Sequence, residues 1–223
     1  MPDLTTLRTA PSTMEEDNDG AVYMVDGEEL DREALTNLLR SMNLEVHAFA
    51  SIEAFVAAPR SAGPSCLVLD VQPPEQSGLA FQTSLAKAGK PHMPIIFMAG
   101  HGDIAMTVKA MKAGALDFLS KPFRDQDMID AVIAALHWDR ARLARSRALE
   151  ELRARWATLT PREQEVMKHV VAGLMNKQIA AAMGIAEITA KIHRGQAMRK
   201  MQCRSVADLV RMMDALGVPD NAQ

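Results

Sequence analysis

From residue 20 onward the chain alternates short apolar runs with stretches of helical spacing. Ala21–Val25 is a five-residue apolar run closed by Asp26 and Gly27, which predicts a strand. Leu30, Ala34, Leu35, Leu38, Leu39 and Met42 then recur at the period of a helix. Glu45–Phe49 reads as a second strand, and Ser51 as the N-cap of a short helix over residues 52–58. Residues 59–64, bounded by prolines, read as a loop. Residues 66–69 are uninterruptedly apolar and end in Asp70, the pattern of a central strand buried on both faces. Residues 94–99 and 116–120 repeat that pattern, with helical spacing over 78–88 and 103–113. Five strands alternating with helices predict an α/β doubly wound five-stranded parallel sheet.

The pattern changes after Phe123. No glycine or proline interrupts the chain until Pro161, and residues 126–152 are rich in Ala, Leu and Arg, which predicts one long helix. Ile129, Ile133 and Leu136 continue a core-facing stripe. Leu149, Leu152, Trp156 and Leu159 are spaced 3, 4 and 3 apart, a seam under three heptads that reads as a solvated linker helix ahead of a dimerising one. Thr160, Pro161 and Glu163 form a capping box with proline at the first helical position. Val166, Met167, Val170 and Val171 follow on one face. A short helix from Asn176 to Met183 ends at Gly184, and a turn leads into Glu187–Met201. Two helices across a tight glycine turn make a helix-turn-helix. The expected organisation is an acidic disordered tail over 1–19, a sheet domain over 20–136, a linker helix over 137–157 and an all-α domain over 158–223.

Charge sharpens this division. Residues 1–136 carry 10 Lys+Arg against 19 Asp+Glu, and residues 137–223 carry 15 against 9, which the net charge of −3 conceals. An acidic half joined to a basic half fits a regulatory domain tied to a polyanion binder. No apolar run approaches the roughly 18 residues of a membrane span, and residues 1–20 lack the apolar core of a signal peptide. Cys66 and Cys203 lack metal-spaced partners and read as buried, reduced thiols of a cytoplasmic protein. The 16 methionines suit an adaptable core or a soft interface.

In doubly wound sheets, polar chemistry gathers beyond the carboxyl ends of the strands. Asp26, Asp70, Ala99-Gly100-His101 and Lys121-Pro122 occupy those ends. Two carboxylates and a lysine could hold Mg²⁺ and a phosphoryl group, with Asp70 as the acceptor. Spacing alone favours ordinary strand-capping residues over such a site.

The wording of these segments resembles the CheY-like receiver of bacterial two-component response regulators. The matching pieces are Val25-Asp26, Leu67-Val-Leu-Asp70, the Pro73/Pro74…Ser77-Gly78 loop, Gly100-His-Gly-Asp103, Met111-Lys-Ala-Gly-Ala115, Asp117-Phe118 and Lys121-Pro122-Phe123. The resemblance implies Asp70 as phospho-acceptor, Lys121 as the phosphoryl contact, and Asp26 with Asp70 as ligands of a weakly held Mg²⁺, aided by a carbonyl near Gln72. Two positions depart from it. Gly27 stands where receivers carry a second acid that ligates Mg²⁺, and Glu28 is poorly placed to replace it. Ala99 stands where receivers carry the Thr or Ser that bonds the phosphoryl group and lets the aromatic on strand five, here Phe118, rotate inward.

The second half resembles the LuxR-type DNA-binding domain through Leu159-Thr-Pro-Arg-Glu163, Val171-Ala-Gly173, Asn176-Lys177-Gln-Ile-Ala180 and Thr189-Ala-Lys-Ile-His-Arg194…Met198-Arg-Lys-Met201. The whole chain is thereby similar to response regulators of the NarL/FixJ family. The resemblance implies base reading by Lys191 and Ile192, and phosphate or positioning contacts from Asn176, Lys177, Arg194 and Lys200. Thr189 and Arg199 join the DNA-binding set, and His193 takes a structural or backbone-contact role. Gly195 departs from a longer polar side chain and costs about 1 kcal/mol relative to Ala in a helix.

The expected function is a DNA-binding transcription regulator acting as a homodimer, with a receiver largely independent of aspartyl phosphorylation. The alternative is a conventional regulator switched by a histidine kinase at Asp70. A module that titrates a partner without touching DNA fits the basic helix less well. A stand-alone catalyst is not expected, since no nucleophile–base pair or phosphate loop is present. Expected partners are double-stranded DNA, a second copy, a histidine kinase and RNA polymerase, with no membrane.

Overall fold

The computed structural model describes residues 20–71, 93–100 and 104–218, with side chains omitted at 104–106. The expected acidic tail, the 73–78 loop, the 78–88 helix, Gln72 and His101 to Asp103 lie outside the described residues.

Five parallel strands form one sheet in the order β2-β1-β3-β4-β5, with β1 Ala21–Val25, β2 Glu45–Phe49, β3 Ser65–Val71, β4 Ile95–Gly100 and β5 Asp117–Lys121. The period-2 geometry of strands sends alternate residues of the apolar runs to opposite faces. On one face Val22, Met24, Cys66, Val68, Ile96 and Met98 pack with Leu35 and Leu39 of α1 (Glu29–Ser41) and with Met128, Val132, Ala135 and Leu136 of α4 (Asp125–Ala157). On the other, Tyr23, Leu67, Leu69, Phe97 and Ala99 pack with Phe55 of α2 (Ile52–Ala57) and Ala110 of α3 (Ile104–Lys112). This double burial is why residues 66–69 read as a solid apolar run.

Boundaries move at functional places. β3 continues through Asp70 to Val71, so the acid sits within the strand and not just beyond it. β5 includes Lys121, which the sequence pattern placed after the strand. The 33-residue α4 carries a buried carboxylate, Asp139, whose Oδ2 accepts the Ser65 amide at 2.9 Å while Oδ1 pairs with Arg142 at 2.7 Å. Asp139 is fully buried, so those partners replace the water it gave up. Burial, then the Asp139 charge, push the Cys66 thiol well above its ordinary range.

The described residues divide into two compact units between Leu143 and Ala144. The second contains α5 Pro161–Val171, α6 Asn176–Met183, α7 Glu187–Met201 and α8 Val206–Leu216. Its core holds Leu159, Val166, Met167, Ile179, Ala190, Ala197, Met201, Leu209 and Met213. Leu152 and Trp156 of α4 pack against it and Leu159 belongs to it. Three of the four residues of the 3-4-3 spacing therefore serve this core, so a solvated linker does not describe Leu152, Trp156 and Leu159. The capping box forms as read: the Thr160 hydroxyl accepts the Glu163 amide and Glu163 Oε2 accepts the Thr160 amide at 2.8 Å. Gly184 ends α6 in the left-handed conformation, φ 64°, that lets the chain turn into α7. Cys203 is half-buried with its Sγ 3.5 Å from Met212 Sδ, where full burial was expected.

Candidate functional site

The sheet brings Asp26, Asp70 and Lys121 together. β1 and β3 are adjacent and end side by side, so Asp26 follows Val25, which registers with Leu69, and Asp70 follows Leu69. β5 lies beyond β4, and Lys121 reaches back across it. The Lys121 Nζ lies 3.2 Å from Asp26 Oδ2 and 3.1 Å from Asp70 Oδ1. Asp26 is 1% exposed; its Oδ1 accepts the Glu28 amide at 2.8 Å, and its backbone carbonyl accepts Arg32 Nη1 at 2.7 Å.

A third carboxylate completes the group. Asp31, in the first turn of α1, places Oδ2 3.0 Å from Lys121 Nζ. Sequence reading missed it; the available signal was an acid in the first turn of the helix that leaves the end of β1. Burial opposes charge on Lys121, but the Asp31 hydrogen bond and the charges of Asp70 and Asp26 outweigh it and hold the ammonium above the usual lysine range. A cavity of about 440 Å³, lined by Asp31, Ala34, Leu35, Gly100, Lys121, Pro122 and Phe123, opens beside this cluster.

The two departures are placed as the strands dictate. Ala99 is buried at 4% exposure, in register with Val71 of β3 and Ser120 of β5. It brings a methyl group to the end of β4, where the resemblance leads one to expect a hydroxyl. Phe118 is half-buried against the same cluster as Ala99. At Gly27 an added Cβ would meet nothing within 4 Å, so the missing acid is not excluded by crowding. Glu28 gives its backbone amide, and no side-chain contact, to Asp26. Among the described residues, no three His, Cys, Asp or Glu side chains are arranged to hold a metal ion.

In the second unit, α7 buries Ala190, Ala197 and Met201 and turns the rest of its circumference outward. Lys191 and Lys177 are exposed and have no ion-pair partner among the described residues. Ile192 is 51% exposed and Thr189 half-buried. Arg194 Nη1 donates to Asn176 Oδ1 at 3.0 Å, tying two of the expected DNA-binding residues together across α6 and α7. Arg199 Nε donates to the Gly195 carbonyl at 3.2 Å. Lys200, expected as a DNA contact, also has a partner within the fold: its Nζ lies 2.6 Å from Glu163 Oε2, which is 3% exposed, and 3.3 Å from the Thr158 carbonyl. Burial pushes the Glu163 carboxyl up, but Lys200 and the Thr160 amide outweigh it and hold it below its ordinary range. His193 Nδ1 is buried without a hydrogen-bond partner among the described residues.

Comparison with known proteins follows the same division. Residues 22–133 match the response regulator receiver domain and residues 157–213 the LuxR family of bacterial regulatory proteins. The chain is 54% identical over 200 residues to Nodulation protein W of Bradyrhizobium diazoefficiens, covering 90% of this chain and 88% of that protein. It is 44% identical over 200 residues to response regulator protein TmoT of Ectopseudomonas mendocina, with 90% of each chain covered. Among solved structures, that of response regulator StyR superposes with a TM-score of 0.77 at 42% identity, covering 87% of this chain and 98% of that one. Full-length FixJ of B. japonicum gives a TM-score of 0.53 at 34% identity, over 91% and 99% of the two chains. Among the described residues, no helix is long and apolar enough to cross a membrane.

Proposed function

Because the chain belongs to the NarL/FixJ family of response regulators, a receiver followed by a LuxR-type DNA-binding domain, we propose that it is a transcription regulator whose receiver controls DNA binding largely without aspartyl phosphorylation. Ala99 carries this reading. A phosphoryl group on Asp70 would find the Lys121 ammonium but no hydroxyl at the end of β4, so it lacks the hydrogen bond that would draw β4 inward and free space for Phe118. A ligand shifts a two-state equilibrium only through interactions that differ between the states. With the hydroxyl absent, that difference shrinks to the charge neutralisation that Lys121 and a bound Mg²⁺ would supply.

The metal requirement is weakened in the same direction. Asp26 and Asp70 are hard-oxygen donors and fit a Mg²⁺ ion that keeps most of its waters. Bound there, the ion would supply charge neutralisation to a phosphoryl group. Gly27 leaves the site one acid short, and Asp31 is held on Lys121. A second reading, conventional switching by a histidine kinase, is favoured by the 3.1 Å contact between Lys121 and Asp70, the pair an acceptor site needs. The proposed assembly on DNA is a homodimer of this chain that meets RNA polymerase at its promoters.

The test is intact-protein mass after incubation with a small phosphodonor and Mg²⁺, with Asp70→Asn as control. Little or no added mass on wild type, under conditions that load a standard receiver, supports the proposal. Stoichiometric phosphorylation that Asp70→Asn abolishes supports the second reading.

A further inference from the structure

The outward face of α7 has an unusual composition for a helix that meets a polyanion. Ala190, Ala197 and Met201 point into the core, and the positions directly opposite them are Ile188, Ile192, Gly195 and Arg199, spaced 4, 3 and 4 apart. Ile188 is 63% exposed and Ile192 51%, and neither belongs to the core of this unit. Gly195 is exposed too, and a Cβ added there would meet nothing within 4 Å. Its backbone is not in the left-handed region. The protein's own packing and conformation therefore give no reason for glycine at this mid-helix position, where it weakens the helix.

Charge identifies what covers this stripe. Lys191 lies beside it on α7 and Lys177 is exposed on α6, both without partners among the described residues. Arg194 is anchored by Asn176, and the Arg199 guanidinium folds back onto the Gly195 carbonyl. An apolar ridge flanked by cations matches the DNA major groove, which has phosphates along its rims and, at each T·A pair, a thymine methyl on its floor.

We propose that α7 reads DNA through the stripe Ile188–Ile192–Gly195, the two isoleucines selecting thymine 5-methyl groups and Gly195 letting the helix backbone close on the groove floor. This rests on the DNA-binding role of the second domain and adds the chemistry of the bases it selects. Ile188 becomes a specificity residue beside Ile192. The exposed apolar surface becomes covered, and the glycine gains a reason: bare backbone permits close approach to a ligand.

The experiment selects sites for the full-length protein from a random double-stranded DNA pool. It then replaces each thymine of the selected site by deoxyuridine, which differs only by the missing methyl. Wild type is expected to lose about fourfold in affinity for each contacted methyl removed. Ile188→Ala and Ile192→Ala should each become indifferent to the methyl at one position while binding unselected DNA as wild type does. Gly195→Ala is expected to weaken the selected site about tenfold and leave unselected DNA unaffected. That substitution favours helix formation, so misfolding does not account for such a loss. A selected site whose thymines tolerate deoxyuridine, or a Gly195→Ala variant with full affinity for it, overturns the proposal while leaving DNA binding intact. Isoleucine variants that abolish self-association in sedimentation but keep the methyl response also overturn it, since the stripe would then be a protein interface. Failure to retain any DNA at low salt would instead remove the DNA-binding role on which it rests.

Discussion

The two units treat charge in opposite ways. Around Lys121 every charge is answered internally: one ammonium meets three carboxylates, two of them almost without solvent exposure. On α6 and α7, Lys177 and Lys191 are left to solvent, and large apolar side chains are exposed between the cations. Buried charges must be paired because water is no longer there to solvate them. Exposed cations need no partner within the fold and so stand ready for one outside it. The first arrangement sets three carboxylates around one ammonium, an excess of negative charge that repels a free anion. The second suits a surface completed only by a polyanion. Gly27 and Ala99 lie beside the first arrangement and leave the second untouched.

Removing internal partners should break the first unit hardest. Asp139→Ala strands the buried Ser65 amide and the Arg142 guanidinium, and is expected to lower stability by about 3 kcal/mol in chemical denaturation. Lys121→Met leaves Asp26 and Asp70 facing each other without a cation, and should cost about 2 kcal/mol by the same measurement. The outward charges should behave differently. Lys191→Ala is expected to leave stability unchanged, weaken DNA binding about tenfold, and reduce the slope of log affinity against log salt by about one.

The smallest effect belongs to Glu163, an internal charge in the second unit. Glu163→Gln loses the pairing with Lys200 and should cost about 1 kcal/mol. The folded state holds the Glu163 carboxyl below its ordinary value, so its contribution is present above the unfolded glutamate pKa and lost as pH falls through the folded one. Thermal melting of wild type should therefore decline more steeply with acidification below the ordinary glutamate range than that of Glu163→Gln. Equal slopes would contradict the pairing.

The sheet was legible because burial on both faces leaves an unbroken apolar run, as at residues 66–69; the strand ends bring Asp26, Asp70 and Lys121 to one end of it, but only the family resemblance singled them out as a site. The capping box at Thr160 and the glycine end of α6 were legible because each is written within four residues. Partners far apart in the chain were not. Lys200 reads as one more basic residue on α7, and only the packing of α5 on α7 shows that it answers Glu163. Asp31 reads as a solvated helix acid until the end of β5 delivers Lys121 to it. The spacing of Leu149, Leu152, Trp156 and Leu159 could not separate a coiled-coil seam from a helix packing on its own domain, since both bury the same face.

We propose that phosphorylation at Asp70 has little leverage on DNA binding. The most direct test is the affinity of the full-length protein for a selected DNA site with and without phosphodonor and Mg²⁺, beside Asp70→Asn and an Ala99→Thr variant. A change below about twofold is expected for wild type, none for Asp70→Asn, and a larger response once Ala99→Thr restores the hydroxyl. A tenfold or greater tightening of wild type that Asp70→Asn abolishes would contradict it.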